Sequence, residues 1–168
     1  MTRQFALPLA LLIGTLAATA CGQSHHGLMS DDPVAQYGAY LEQARTLSQE
    51  HQQAVQDAGS LEKVINEERA HAERMNGVLA DFDQCTGQMG GCMMGSNASV
   101  DTARGDIEAL RALHEQHHEE MLKTTDLEGA QTAEGQHQQR AEDQFEVMAD
   151  HHEAMMGTST GQGCGSMH

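Results

Sequence analysis

The chain has 168 residues with 25 acidic side chains against 9 basic ones, a formal net charge of −16. Such a balance excludes a basic nucleic-acid surface and repels anionic lipid head groups, while the same field concentrates cations near the protein. Tryptophan is absent and only two Tyr and three Phe occur, against 11 Met and 11 His, so a core must be assembled from Ala, Leu, Val and Met. Strand formers are scarce, and that material suits helices.

In chain order, Arg3 and the apolar run 5–20 have the length and flanks of a secretory signal peptide, and residues 1–20 are set aside before any fold is considered. The segment that follows, Ala18-Thr19-Ala20-Cys21-Gly22, resembles a bacterial lipobox, which implies lipidation of Cys21 and an outer-membrane anchor facing the periplasm. Ordinary cleavage after Ala18-x-Ala20 is the alternative and would leave Cys21 as a free terminal thiol in a soluble envelope protein. Either cut leaves 148 residues, suited to one domain. Residues 21–32 read as a polar tether.

Asp32-Pro33 supplies an N-cap and a first-turn proline, and Val34, Tyr37, Leu41, Ala44, Ser48, His51 and Val55 follow at steps of three and four, predicting a first helix to about residues 57–59. Ser60 caps a second, with stripe Leu61, Val64, Glu68, His71, Met75, Val78, Phe82 and Cys85, and residues 86–98 read as a loop rich in Gly and Met. Ser99 caps a third helix carrying Val100, Ala103, Ile107, Leu110, His114, His117 and Met121. The fourth is expected to start between residues 126 and 132, with stripe Gln138, Ala141, Phe145, Met148, His152 and Met155. Two short turns and one longer loop predict an all-α, antiparallel up-and-down four-helix bundle over 33–156. Residues 157–168, rich in glycine, form a tail.

Histidines and a glutamate interrupt the stripes that should be apolar. Counted from the turns at Gly59 and Gly129, His51 and Glu68 lie about 12–13 Å along their helices, His71 and His117 about 18 Å, and His137 about 12 Å, at 1.5 Å per residue. Together with His114 they occupy neighbouring layers of one interior. Buried polar groups need partners, and either a shared metal ion or a hydrogen-bonded polar layer would supply them. Glu68-x-x-His71 has the step of ferritin-like carboxylate bundles. The first helix offers no inward Glu, and the match on the third, Glu115-x-x-His118, lies off its stripe, so a di-iron set is not completed. Nitrogen-rich ligation with one carboxylate suits zinc, copper(II) or nickel.

The opposite end of the bundle gathers softer donors: Cys85, Cys92, Met93 and Met94 beside His151, His152, Met155 and Met156, with Cys164, Met167 and His168 in the tail. Thiolate, thioether and imidazole together select copper(I). A Cys85–Cys92 disulfide pinning the loop is a competing reading. The run Met148-x-x-His151-His152-x-x-Met155 resembles the Met-x-x-His-His-x-x-Met signature of a family of small periplasmic ferritin-like four-helix proteins, some of which bind copper. That resemblance implies that Met148, His151, His152 and Met155 are ligands. No nucleophile elbow, phosphate loop or dinucleotide fingerprint is present, so no enzyme activity is expected. The expected function is that of a lipid-anchored envelope protein that binds transition metals, copper first and zinc or nickel next, for buffering or delivery; a structural or chaperone-like lipoprotein is the alternative.

Overall fold

The computed structural model describes residues 32–92 and 97–159. They form four helices: α1 (Pro33–Gln56), α2 (Leu61–Cys92), α3 (Asn97–Lys123) and α4 (Leu127–Ser159). Each helix packs on its two neighbours in the ring α1–α2–α3–α4, and only α2 and α4 touch across the diagonal. Short connections between sequential neighbours make the ring antiparallel, as the spacing predicts.

The helix starts are set by local chemistry. Asp32 accepts the Val34 amide at 3.0 Å with Pro33 following it, the Ser60 hydroxyl accepts the Lys63 amide at 3.4 Å, and Asp126 accepts the Gly129 amide at 2.7 Å. Each satisfies an amide that has no partner inside the helix. Three boundaries differ from the expectation. Helix α2 continues through residues 86–92 instead of yielding to a loop, and α3 starts at Asn97, ahead of Ser99. Glycines in a helix cost about 1 kcal/mol each, but continuing the stripe past Cys85 buries Met89 completely, and Thr86 returns its hydroxyl to the Phe82 carbonyl at 3.1 Å. Helix α4 also extends to Ser159, beyond residue 156.

The interior has two apolar blocks of unequal size. The larger holds Tyr37, Leu41, Phe82, Ile107, Leu110, Phe145 and their neighbours, with the Tyr37 and Phe82 rings edge to face at 5.0 Å. The smaller, near the α1–α2 and α3–α4 turns, consists of Val55, Val64, Met121 and Ala130 with partly buried residues around it. Between the blocks, every helix contributes polar side chains to the interior. Among the described residues no helix is long and apolar enough to cross a membrane.

Candidate metal centre

Each helix places two polar residues inward at a step of three: Ser48 and His51 on α1, Glu68 and His71 on α2, His114 and His117 on α3, Glu134 and His137 on α4. All eight are buried, with relative exposures of 0–9%. Because the helices alternate in direction, the eight sort into two layers of four, one three-residue step or about 4.5 Å apart. His51, Glu68, His117 and Glu134 form the layer nearer the short turns. Ser48, His71, His114 and His137 form the layer above it.

The first layer is tight. His51 Nε2 lies 3.0 Å from Glu68 Oε2 and 3.3 Å from Glu134 Oε2, and His117 Nε2 lies 3.4 and 2.8 Å from the same two oxygens. All four contacts are at ion-pair distance, and none has full hydrogen-bond geometry. Such crowding suits a buried ion-pair network and equally ligands around a common centre, and the ligand atoms of His51, Glu68 and His117 all fall within 4.8 Å of one another. From outside the layer, His118 Nδ1 meets Glu68 Oε1 at 2.8 Å and fixes that carboxylate's orientation.

The rings of the two layers stack in pairs. His51 and His71 are 4.2 Å apart with an interplanar angle of 11°, and His117 and His137 are 3.9 Å apart at 8°. His114 bridges the upper layer at 5.5 Å from His71 and 4.8 Å from His137. No hydrogen-bond partner reaches either ring nitrogen of His71 or His137, His114 Nε2, Glu134 Oε1 or Ser48 Oγ.

Electrostatics divides the layers. Burial alone would lower the His51 pKa, but Glu134 and Glu68 beside it outweigh that and push it up to about 9, and they raise His117 against its burial in the same way. Burial would raise the two carboxylates, yet His117 and His51 hold both well below the usual carboxylate range. In the upper layer burial acts without a carboxylate close enough to reverse it, aided by neighbouring imidazoles. It depresses His71 to about 3, His114 to about 4 and His137 to about 2. At neutral pH the first layer thus holds the His51 imidazolium between two carboxylates, with His117 shifted in the same direction, and the second is three neutral imidazoles.

The structure brings together all six residues of the interior set, His51, Glu68, His71, His114, His117 and His137. It adds Glu134, which the stripe reading missed although Glu134-x-x-His137 repeats the step of Glu68-x-x-His71. The carboxylate count is therefore two. The second Glu-x-x-His pair is on α4, and Glu115 is exposed on α3.

Among the described residues the softer set does not assemble. Met148 and Met155 are packed in the larger apolar block, and Met156 is 42% exposed. His151 turns to α3 and meets Asp106 Oδ2 at 2.7 Å, while His152 reaches α1 and meets the Val34 carbonyl at 2.9 Å. The four positions share one broad face of α4, but that face meets the core at its centre, α3 at one edge and α1 at the other, so three packing partners divide them. Cys85 is a buried free thiol that donates to the Pro33 carbonyl at 2.9 Å, which corrects the disulfide reading. Cys21, Met93, Met94, Cys164, Met167 and His168, and the side chain of Cys92, lie outside the described residues. Comparisons with protein-family models, curated proteins and solved structures return no match to this chain.

Proposed function

We propose that this protein binds a transition-metal ion in the layer formed by His51, Glu68, His117 and Glu134, and that it serves to hold and release such ions. The observation that carries this reading is the set of four imidazole–carboxylate separations of 2.8–3.4 Å between donors from four different helices. Ligands about 2.0–2.1 Å from a zinc ion stand about 3.3 Å from one another, close to the four imidazole–carboxylate edges, and His51, Glu68 and His117 form the tightest part of the set. Two carboxylates neutralise a divalent charge, and the imidazoles bind once their protons leave.

Imidazole and carboxylate donors suit zinc, with copper(II) and nickel as the alternatives. The copper-first expectation drew on soft donors, and those among the described residues do not converge. A four-donor site with no vacant position is suited to holding an ion rather than to chemistry on it. The strongly acidic surface concentrates cations around the bundle. The proposed setting is the bacterial envelope, with the protein anchored through a lipidated Cys21 and with metal ions and the membrane as its partners.

Titration of the chelator-stripped chain with zinc, and separately with copper(II), against a competing chromophoric chelator tests the reading. Tight zinc binding that is lost when Glu68 and Glu134 are both changed to Gln is the expected result. Stronger binding of copper(II) would change the ion, and no binding of either would leave a structural lipoprotein whose polar layer is only hydrogen-bonded.

A further inference from the structure

We infer that His71, His114 and His137 form a second metal site, stacked on the first and different from it in kind: a three-imidazole site that keeps one coordination position for hydroxide or a small anion. The inference rests on the reading of the lower layer as a metal site and adds to it a second ion with an exchangeable position.

The upper layer lies a three-residue step along the bundle from the lower one, about 4.5 Å away; its imidazoles stand wider apart than the lower donors that gather within 4.8 Å, so an ion entering it would draw the three rings inward. Three of its four corners are imidazoles at 1–9% exposure, one from each of α2, α3 and α4. Both nitrogens of His71 and of His137 and Nε2 of His114 have no hydrogen-bond partner, although leaving such groups buried and unpaired is costly. A hydrogen-bonded polar layer would pair these atoms with one another, and here the rings stack and tilt instead. Apolar side chains of similar volume would fill the same space at no such cost, so the unpaired nitrogens point to a ligand.

The fourth corner is Ser48, at 2% exposure and with its hydroxyl also unpartnered. A serine hydroxyl is a poor ligand for a divalent ion but a good hydrogen-bond partner for a ligand held by one. Three imidazoles with a vacant position are the donor set of zinc sites that bind and activate water. Charge leads to the same place. The two carboxylates balance the ion in the lower layer, and the upper layer contains no acidic residue. A second divalent ion would therefore be left with its charge buried, and the simplest neutralising partner is an anion at the open position beside Ser48. The unpartnered Glu134 Oε1 is the one other anionic atom available to it.

The test uses the full chain stripped with chelator and reloaded with cobalt(II), whose visible bands report tetrahedral ligation. Two ions per chain are expected, with azide shifting the bands of one of them. His114→Gln should bind one ion and lose the azide response, and Ser48→Ala should keep two ions but bind azide at least several-fold more weakly. Copper(II)-loaded wild type checks the pair without mutation: two ions one step apart should give a dipolar-broadened resonance in place of an isolated one. One ion per chain in the wild type, with no azide response, would overturn the second site and leave the first standing. No bound ion at all would remove both.

Discussion

Exchanging Glu134 for Gln keeps the shape of the side chain and removes one of the two charges that hold His51 protonated and raise His117. In the metal-free protein the carboxylates raise His51 from 6.5 to about 9 against the opposing effect of burial. That is about 3 kcal/mol of favourable interaction at 1.36 kcal/mol per unit, supplied by two carboxylates. Losing one should cost about 2 kcal/mol. This is less than the roughly 3–5 kcal/mol found when a buried pair is broken outright, because an imidazole can shed its proton and adapt. At about 3 °C per kcal/mol for a chain of this size, the metal-free Tm should fall by about 6 °C. The variant also replaces an anionic donor with a neutral one, and we expect zinc affinity to drop by about 100-fold or more. Each 100-fold removes about 2.7 kcal/mol of ligand stabilisation, so the rise in Tm on adding zinc should shrink by about 8 °C relative to wild type. Scanning calorimetry with and without zinc, on this variant and on Glu115→Gln at the exposed surface, measures both quantities. An undiminished zinc shift in Glu134→Gln would refute the assignment of Glu134 as a ligand.

The remaining predictions concern protons and packing. An ion entering the lower layer at pH 7.5 must displace the proton held by His51, so at least about one proton should be released per ion, with His117 adding to it; calorimetric titration in buffers of different ionisation enthalpy counts them, and a buffer-independent heat would contradict the charge assignment. In the metal-free protein His71, His114 and His137 stay neutral when folded and take up protons below pH 6.5 when unfolded. Lowering the pH from 6.5 to 5 should therefore cost about 2 kcal/mol for each, and the denaturant midpoint should fall over that range. His51 works in the opposite direction, since its contribution is complete below pH 6.5 and is lost as pH rises through 9, so stability should be greatest between those two values. His118→Ala frees the Glu68 carboxylate to rotate and should weaken zinc binding by about 10–100-fold at unchanged stoichiometry. At Gly38 an added Cβ would sit 2.6 Å from His152 Cε1, so Gly38→Ala should expel that ring from its bond to the Val34 carbonyl and cost about 1–3 kcal/mol in urea unfolding.

The bundle and most of its interior centre are legible from spacing alone. Steps of three and four put His51, Glu68, His71, His114 and His117 on inward faces, and two short turns at one end bring them to neighbouring heights. Glu134 is hidden because the first turns of α4 bury little more than Ala130, so no apolar stripe marks the inward face there; only the repeated Glu-x-x-His step signals it. The helical course of residues 86–92 is hidden for a different reason. Local propensity at Gly87, Gly90 and Gly91 argues against a helix, and the burial of Met89 that outweighs it comes from other helices. The Met–His quartet of α4 shows the limit of one-dimensional spacing. A methionine at helical period looks the same whether it meets a metal or a phenylalanine, and only the neighbouring helices decide.

The unequal apolar blocks give the polar layers a second consequence. Below them, Val55, Val64, Met121 and Ala130 are too small a set to dictate how far each helix slides along its neighbours. A slip of one turn would exchange small side chains for one another at modest cost, but would carry a donor about 5.4 Å out of its layer. An ion held by all four helices would therefore pin the registry at this end of the bundle, where the apolar contacts are fewest.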